Sequence, residues 1–159
     1  MLSVEQPSDE YAAFGLRQLA DTRPDGGPLM GLFAAMHALD ARHDWLLLVP
    51  CDAPFIPLKL ADRLLARAQD SGLAGAVVRY DAEIQPTFSI WRRDILPSLE
   101  RAVLEQNMAG LKQFSGVIET AELDWRPSTP SPFFNINDRA ALLEAGRLLE
   151  SYSGEPMRC

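Results

Sequence analysis

The chain has 159 residues, 47% of them hydrophobic and 23% charged, with a formal net charge of −7. That length and apolar content suit one packed domain, so residues 1–152 read as a single domain and 153–159 as a flexible tail. The acidic balance argues against a nucleic-acid surface, no apolar run approaches the ~18 residues that span a bilayer, and the acidic N-terminus lacks a signal peptide's apolar core; the expected compartment is the cytoplasm, with no nucleic-acid or membrane partner.

Taken in chain order, residues 1–20 read as a poorly organised lead-in, with a short helix around Asp9–Phe14 and a short strand over Leu16–Ala20. Thr22–Gly27 is a loop of turn residues, Pro24, Asp25, Gly26 and Gly27 among them. Pro28 suits the first turn of a helix, where its missing N–H costs nothing, and Leu29, Leu32, Phe33, Met36 and Leu39 continue at helical spacing to about Arg42. Trp45–Pro50 is a near-continuous apolar strand, as expected for a central parallel strand covered on both faces. A helix follows over Pro57–Ser71, closed by Gly72, then a strand over Ala74–Tyr80 and a turn at Asp81–Ile84. Gln85–Trp91 is a strand that can pair antiparallel with the one before. Asp94–Gln106 reads as a helix, Met108–Ser115 as a short helical piece and Val117–Leu123 as a strand. Arg126–Pro132, with three prolines, is an extended loop. Phe133–Ile136 is a short strand, and Asp138–Ser151 a closing helix with Asn137 as N-cap. Alternating β and α elements of this kind predict a three-layer α/β sheet, mostly parallel with one antiparallel strand.

Two places in this order carry chemistry. Ligands of open α/β sheets bind beyond the carboxyl ends of the strands, and Asp52 stands at the exit of Trp45–Pro50, where it can hold Mg²⁺ against phosphate oxygens or simply turn the chain. Gly26 and Gly27 precede a helix N-terminus, where glycine lets a ligand approach backbone N–H groups; the alternative is glycine for tight packing alone. On the ligand reading, a side chain at Gly27 weakens binding more than stability. Cys51 and Cys159 make no disulfide framework, and neither His37 nor His43 lies in a metal-ligand pattern. The pair Arg92-Arg93 reads as a solvated strand end, with Arg23 the better phosphate partner.

The combination Asp21…Gly26-Gly27-Pro28-Leu29-Met30-Gly31-Leu32, then Pro50-Cys51-Asp52-Ala53-Pro54-Phe55-Ile56-Pro57, Gln85-Pro86-Thr87-Phe88 and Asn135-Ile136-Asn137-Asp138 resembles the molybdenum cofactor guanylyltransferases (MobA-type), from about Glu10 to about Leu149. The resemblance implies a Rossmann-like nucleotidyltransferase sheet and transfer of GMP from GTP to molybdopterin-bound molybdenum cofactor, with loss of pyrophosphate. It assigns Asp52 to Mg²⁺ and to catalysis. It places Asn135 and Asn137 near the reaction centre, where an amide donates without adding charge, although Asn137 serves equally well as a helix cap. It puts Asp21, Gly26, Gly27, Pro28 and Leu29 at the nucleotide and Gln85 and Thr87 beside the pterin, a turn before an edge strand being the other account of Gln85 and Thr87. GTP and molybdopterin are the implied partners, with molybdoenzyme-maturation proteins as candidates.

The sequence also departs from the family pattern. Family members open with a strand and a glycine-rich loop of the L-A-G-G-x-S-x-R-M-G type, followed by Lys. No such loop occurs here, and neither Lys59 nor Lys112 follows one. Glu5 stands where the family has an Asn, and a carboxylate repels a triphosphate. The chain reads as a member without its first one or two βα units, expected to transfer GMP poorly or not at all. A binding module that keeps the pterin-side half, or a fragment without a role of its own, is the competing reading. A molybdenum cofactor cytidylyltransferase is another.

Overall fold

The computed structural model describes residues 1–21 and 27–152, the side chains of 151 and 152 apart. The lead-in is organised. Strand β1 (Leu2–Val4) pairs in parallel with β2 (Gln18–Ala20), Ser3 opposite Leu19. Between them a 3₁₀ turn, Asp9–Phe14, is capped by the Ser8 side chain, which accepts from Glu10 N–H at 3.2 Å, and is closed by Gly15 at φ 62°. The Gln18 amide clamps the backbone of Ser8 through two bonds of 2.8 Å. No run of apolar residues announces this pair, because its order comes from polar clamps.

Helix α1 (Pro28–His37) opens on proline and buries Leu29, Met30, Leu32, Phe33 and Met36. It stops five residues short of Arg42. Asp40 accepts from the Arg42 backbone N–H at 2.9 Å and from its guanidinium, which makes a turn. The Arg93 guanidinium binds the carbonyls of Leu39, Asp40 and His43, which a continuing helix would have used. Arg93 is thus a clasp on the end of α1, not a solvated strand end. Arg92 pairs with Asp94 at 2.7 Å.

The main sheet holds β3 (Trp45–Leu48), β4 (Gly75–Tyr80), β5 (Glu83–Arg92) and β6 (Ala121–Trp125) in the order β3-β5-β4-β6. β5 is antiparallel to both neighbours and β6 is parallel to β4, so three of these four strands run one way. β3, expected in the middle, is at an edge of this sheet, with Leu47 40% and Val49 39% exposed. An apolar run does not distinguish a centre from an edge. The hairpin β4–β5 fills one flank of β3, and no strand among the described residues pairs with the other.

Helices cover both faces. On one side α1, α3 (Leu96–Glu100) and α4 (Leu111–Ile118) enclose Val77, Trp91, Leu99 and Phe114. On the other, α2 (Leu60–Ser71) packs Leu60, Leu64 and Ala68 on Ala76, Val78, Phe88 and Ile90, together with Phe133. Adjacent residues Val77 and Val78 face opposite cores, as the period of a strand requires. Gly72 ends α2 at φ 72° as expected. The predicted helix 94–106 is a 3₁₀ turn at Arg93–Ile95, α3, and a π turn at Arg101–Glu105. The strand expected from Val117 starts only at Ala121, because Val117 and Ile118 finish α4 and Glu119 turns the chain at φ 56°.

Residues 133–136 form no strand. They run beside the exit of β3 with one backbone bond, Ile136 N–H to Asp52 O at 2.8 Å. Helix α5 (Arg139–Tyr152) is capped by Asp138, whose Oδ1 accepts from Ala141 N–H at 2.8 Å, and not by Asn137. No helix among the described residues is long and apolar enough to cross a membrane.

Candidate functional site

A cleft of about 430 Å³ opens where β1, the end of β2, the start of α1 and the exit of β3 meet. Ser3 and Glu5 line it from β1 and the residues after it, Asp21 from the end of β2, Gly27 and Pro28 from the mouth of α1, and Leu48–Pro50 from the end of β3. Thr87 reaches it from β5. Ser3 Oγ donates to Asp21 Oδ1 at 3.2 Å. The charged side chains among the described lining are two carboxylates, Glu5 and Asp21.

Thr87 arrives there through a break in the β4–β5 ladder. Val77 pairs with Ser89, but the next residue, Val78, pairs with Gln85, so Pro86-Thr87-Phe88 are looped out of register. A bulge of this kind re-aims a side chain. Phe88 turns to the opposite face and packs on Phe133 with ring centroids 4.7 Å apart. Gln85 remains in the ladder, half-buried.

Gly27 answers two demands at once. It caps α1 at φ 67°, a conformation that L side chains rarely adopt. A Cβ there would lie 2.8 Å from the Ala109 carbonyl oxygen. That same oxygen accepts from Leu29 N–H at 3.1 Å. Leu29 is wholly buried and its N–H is used, so it turns away from the cleft. A side chain at 27 therefore damages the fold as well as the cleft, against the expectation that stability would be spared.

Asp52 lies next to this cleft, just past Pro50. It is half-buried and has no ion pair with a described residue. The Ile136 N–H bond to its carbonyl brings Asn135 and Asn137 alongside. Asn135 is half-buried, and its Oδ1 is enclosed without a hydrogen-bond partner. Asn137 is exposed. No group of three or more His, Cys, Asp or Glu among the described residues could hold a metal.

The profile of the MobA-like NTP transferase domain matches residues 1–121. The chain belongs to that family. It is 31% identical to a molybdenum cofactor guanylyltransferase of Mesorhizobium japonicum, over 94% of this chain and 75% of that protein. It is 35% identical to one of Pseudomonas putida, over 87% of this chain and 72% of that protein. Among solved structures it resembles a molybdopterin-guanine dinucleotide biosynthesis protein A from Archaeoglobus fulgidus with a TM-score of 0.67 at 17% identity, covering 89% of this chain and 72% of the other. A TM-score of 0.61 at 11% identity relates it to a 4-diphosphocytidyl-2C-methyl-D-erythritol synthase of Anaerococcus prevotii, over 84% and 70% of the two chains. At such identities these structures bear on the fold alone, and they agree with a Rossmann-like α/β sheet.

Members of the family are nucleotidyltransferases, and the Mesorhizobium and Pseudomonas relatives are molybdenum cofactor guanylyltransferases. In this MobA-like chain Asp21, Gly27, Pro28 and Thr87 share one cleft, while Asp52, Asn135 and Asn137 do not line it and lie on two segments joined by the Ile136–Asp52 backbone bond. Gly26 and Arg23 lie outside the described residues. Sequence reasoning did not single out Ser3 or Leu48 as cleft walls, nor Ser89, whose hydroxyl donates to the Pro86 carbonyl in the bulge. The only sequence signal for the bulge was Pro86 inside a strand pattern, since proline interrupts a ladder.

Proposed function

We propose that this chain serves as a molybdenum cofactor guanylyltransferase, transferring GMP from GTP to molybdopterin-bound molybdenum cofactor. The observation that carries the reading is convergence. Asp21, Gly27, Pro28 and Thr87, scattered over 67 positions of sequence, line one cleft at the end of β3, whose last lining residue, Pro50, precedes Asp52 by two positions. Strand ends are where α/β sheets bind ligands.

In the reaction a phosphate oxygen of the acceptor attacks the α-phosphorus of GTP. The bond from that phosphorus to the β-phosphate bridging oxygen breaks, and pyrophosphate leaves. Asp52, half-buried at the strand exit, would be the residue to hold Mg²⁺, with phosphate oxygens and water completing its shell. Bound there, the cation would offset charge on the phosphates. Gln85 and Thr87 carry hydrogen-bonding groups suited to the pterin.

The cleft also sets a limit. A triphosphate carries about four negative charges and needs preorganised donors and cations. The described walls offer Glu5 and Asp21 instead. The 159 residues by themselves are therefore expected to transfer GMP poorly, which favours a second reading as a binding module for the acceptor. The test is an assay with purified molybdenum cofactor, GTP and Mg²⁺, comparing this chain with one extended upstream by a family-type first βα unit. Large stimulation by the extension supports the guanylyltransferase reading. Equal turnover shows that the nucleotide binds elsewhere, and no turnover by either, with cofactor binding retained, leaves the binding module.

A further inference from the structure

We propose that Ser89 is a positioning residue that fixes Thr87 in the wall of the cleft. The inference rests on the reading of Thr87 as a residue beside the pterin. Ser89 is fully buried, a rare place for a hydroxyl. Its Oγ donates to the Pro86 carbonyl at 2.8 Å and accepts from Trp91 Nε1 at 2.8 Å. Pro86 belongs to the segment that leaves the β4–β5 ladder, so its carbonyl has forfeited the strand partner that in-register residues keep. The Ser89 hydroxyl takes that partner's place.

The other end of the relay is immobile. Trp91 is 0% exposed and packs on Phe114 with centroids 5.5 Å apart. The core thus holds the indole, the indole orients the hydroxyl, and the hydroxyl holds the carbonyl one residue before Thr87. A threonine on an unpinned bulge would sample several positions, and a 1 Å error at a site is costly. Ser89 touches no ligand and acts through Thr87.

Three variants separate this from simple support of the core. Ser89→Ala breaks both bonds. Trp91→Phe removes the indole donor but leaves the bond to Pro86. Ser89→Cys keeps the shape, in a slightly larger side chain, with a weaker donor, and it carries the comparison if the alanine variant does not fold. Two readouts are taken per folded molecule: the order parameter of the Thr87 methyl by NMR, and the affinity for molybdenum cofactor. The expectation is that Ser89→Ala lowers the order parameter and weakens affinity about tenfold, Ser89→Cys does so by less, and Trp91→Phe changes affinity by about twofold at most. In a Thr87→Ala background Ser89→Ala should cost little more, as for residues acting as a unit. An unchanged Thr87 order parameter in both Ser89 variants overturns the proposal, as does full additivity with Thr87→Ala. If the wild-type chain does not bind the cofactor, the reading of Thr87 as a residue beside the pterin fails, and the order parameter alone decides whether Ser89 positions Thr87.

Discussion

The β1–β2 pair and the four-stranded sheet are held by different forces. In the sheet, Val77, Val78, Phe88 and Trp91 are fully buried or nearly so, with helices on both faces. In the pair each strand has three residues, Leu19 is the one buried side chain, and Ser3 is exposed. A pair so short is marginal without support. It leans on α1, where Gly31 allows close approach: a Cβ there would lie 2.9 Å from Ser3 Oγ. The lesson is a division of labour. The sheet carries the stability, while the loosely held pair supplies the acidic wall of the cleft, from the low-stability end of the molecule where binding elements are commonly found.

The strongest way to break this comparison is at the centre of the sheet. Trp91→Ala should cost about 3–5 kcal/mol, as large-to-small changes at filled core positions do. It should abolish slow amide exchange throughout β3–β6. Denaturant unfolding with hydrogen exchange measures both. A loss confined to the β1–β2 pair would contradict the division.

Next in size is Asp52→Asn, measured in a chain extended by a family-type first βα unit. Turnover should fall by about 100-fold or more, as on removal of a charge-stabilising group, while the melting temperature stays near wild type. A half-buried carboxylate at a strand exit contributes to the site and little to the sheet. Near-wild-type turnover at limiting Mg²⁺ would remove Asp52 from the proposed metal site.

Gly27→Val probes the junction between the two regions. It combines a strained φ with a clash on the Ala109 carbonyl, for about 1–3 kcal/mol. The opening should be local, with exchange rising first near α1 and the β1–β2 pair. Unchanged stability would mean that the chain around Ala109 gives way freely.

The smallest effect belongs to Asp40. The hydrogen bond from the Arg42 side chain, followed by that from its backbone N–H, holds the carboxyl below its usual range. A carboxylate with a depressed folded pKa stabilises above its unfolded pKa, and the contribution is lost as pH falls through the folded value. Asp40→Asn should therefore lower the melting temperature slightly at neutral pH, with the gap to wild type closing in acid. Because the pair is exposed and screened by salt, a gap that is large or independent of pH would point to a role beyond the turn.

Much of this molecule was legible from local pattern. Pro28 and the apolar spacing after it located α1, Gly72 closed α2 as foreseen, and the hairpin from Ala74 to Trp91 emerged with its antiparallel partner. Asp21, Gly27, Pro28 and Thr87, read from the sequence as site residues, line one cleft in the structure. Less was legible where long-range partners decide. Val117 and Ile118 have strand-type side chains yet end a helix, and Asp138 rather than Asn137 caps α5.

What the sequence by itself determined is the alternation of elements, because periods of 2.0 and 3.6 are written in neighbouring residues. It also carried the family, through motifs short enough to read directly. Only the tertiary structure decided that β3 sits at an edge, that Arg93 clasps the end of α1 fifty residues away, and that Ser89 and Trp91 pin the bulge bearing Thr87. Each of these depends on which groups meet across the fold, and a carbonyl that loses its ladder partner must find another wherever the packing places one.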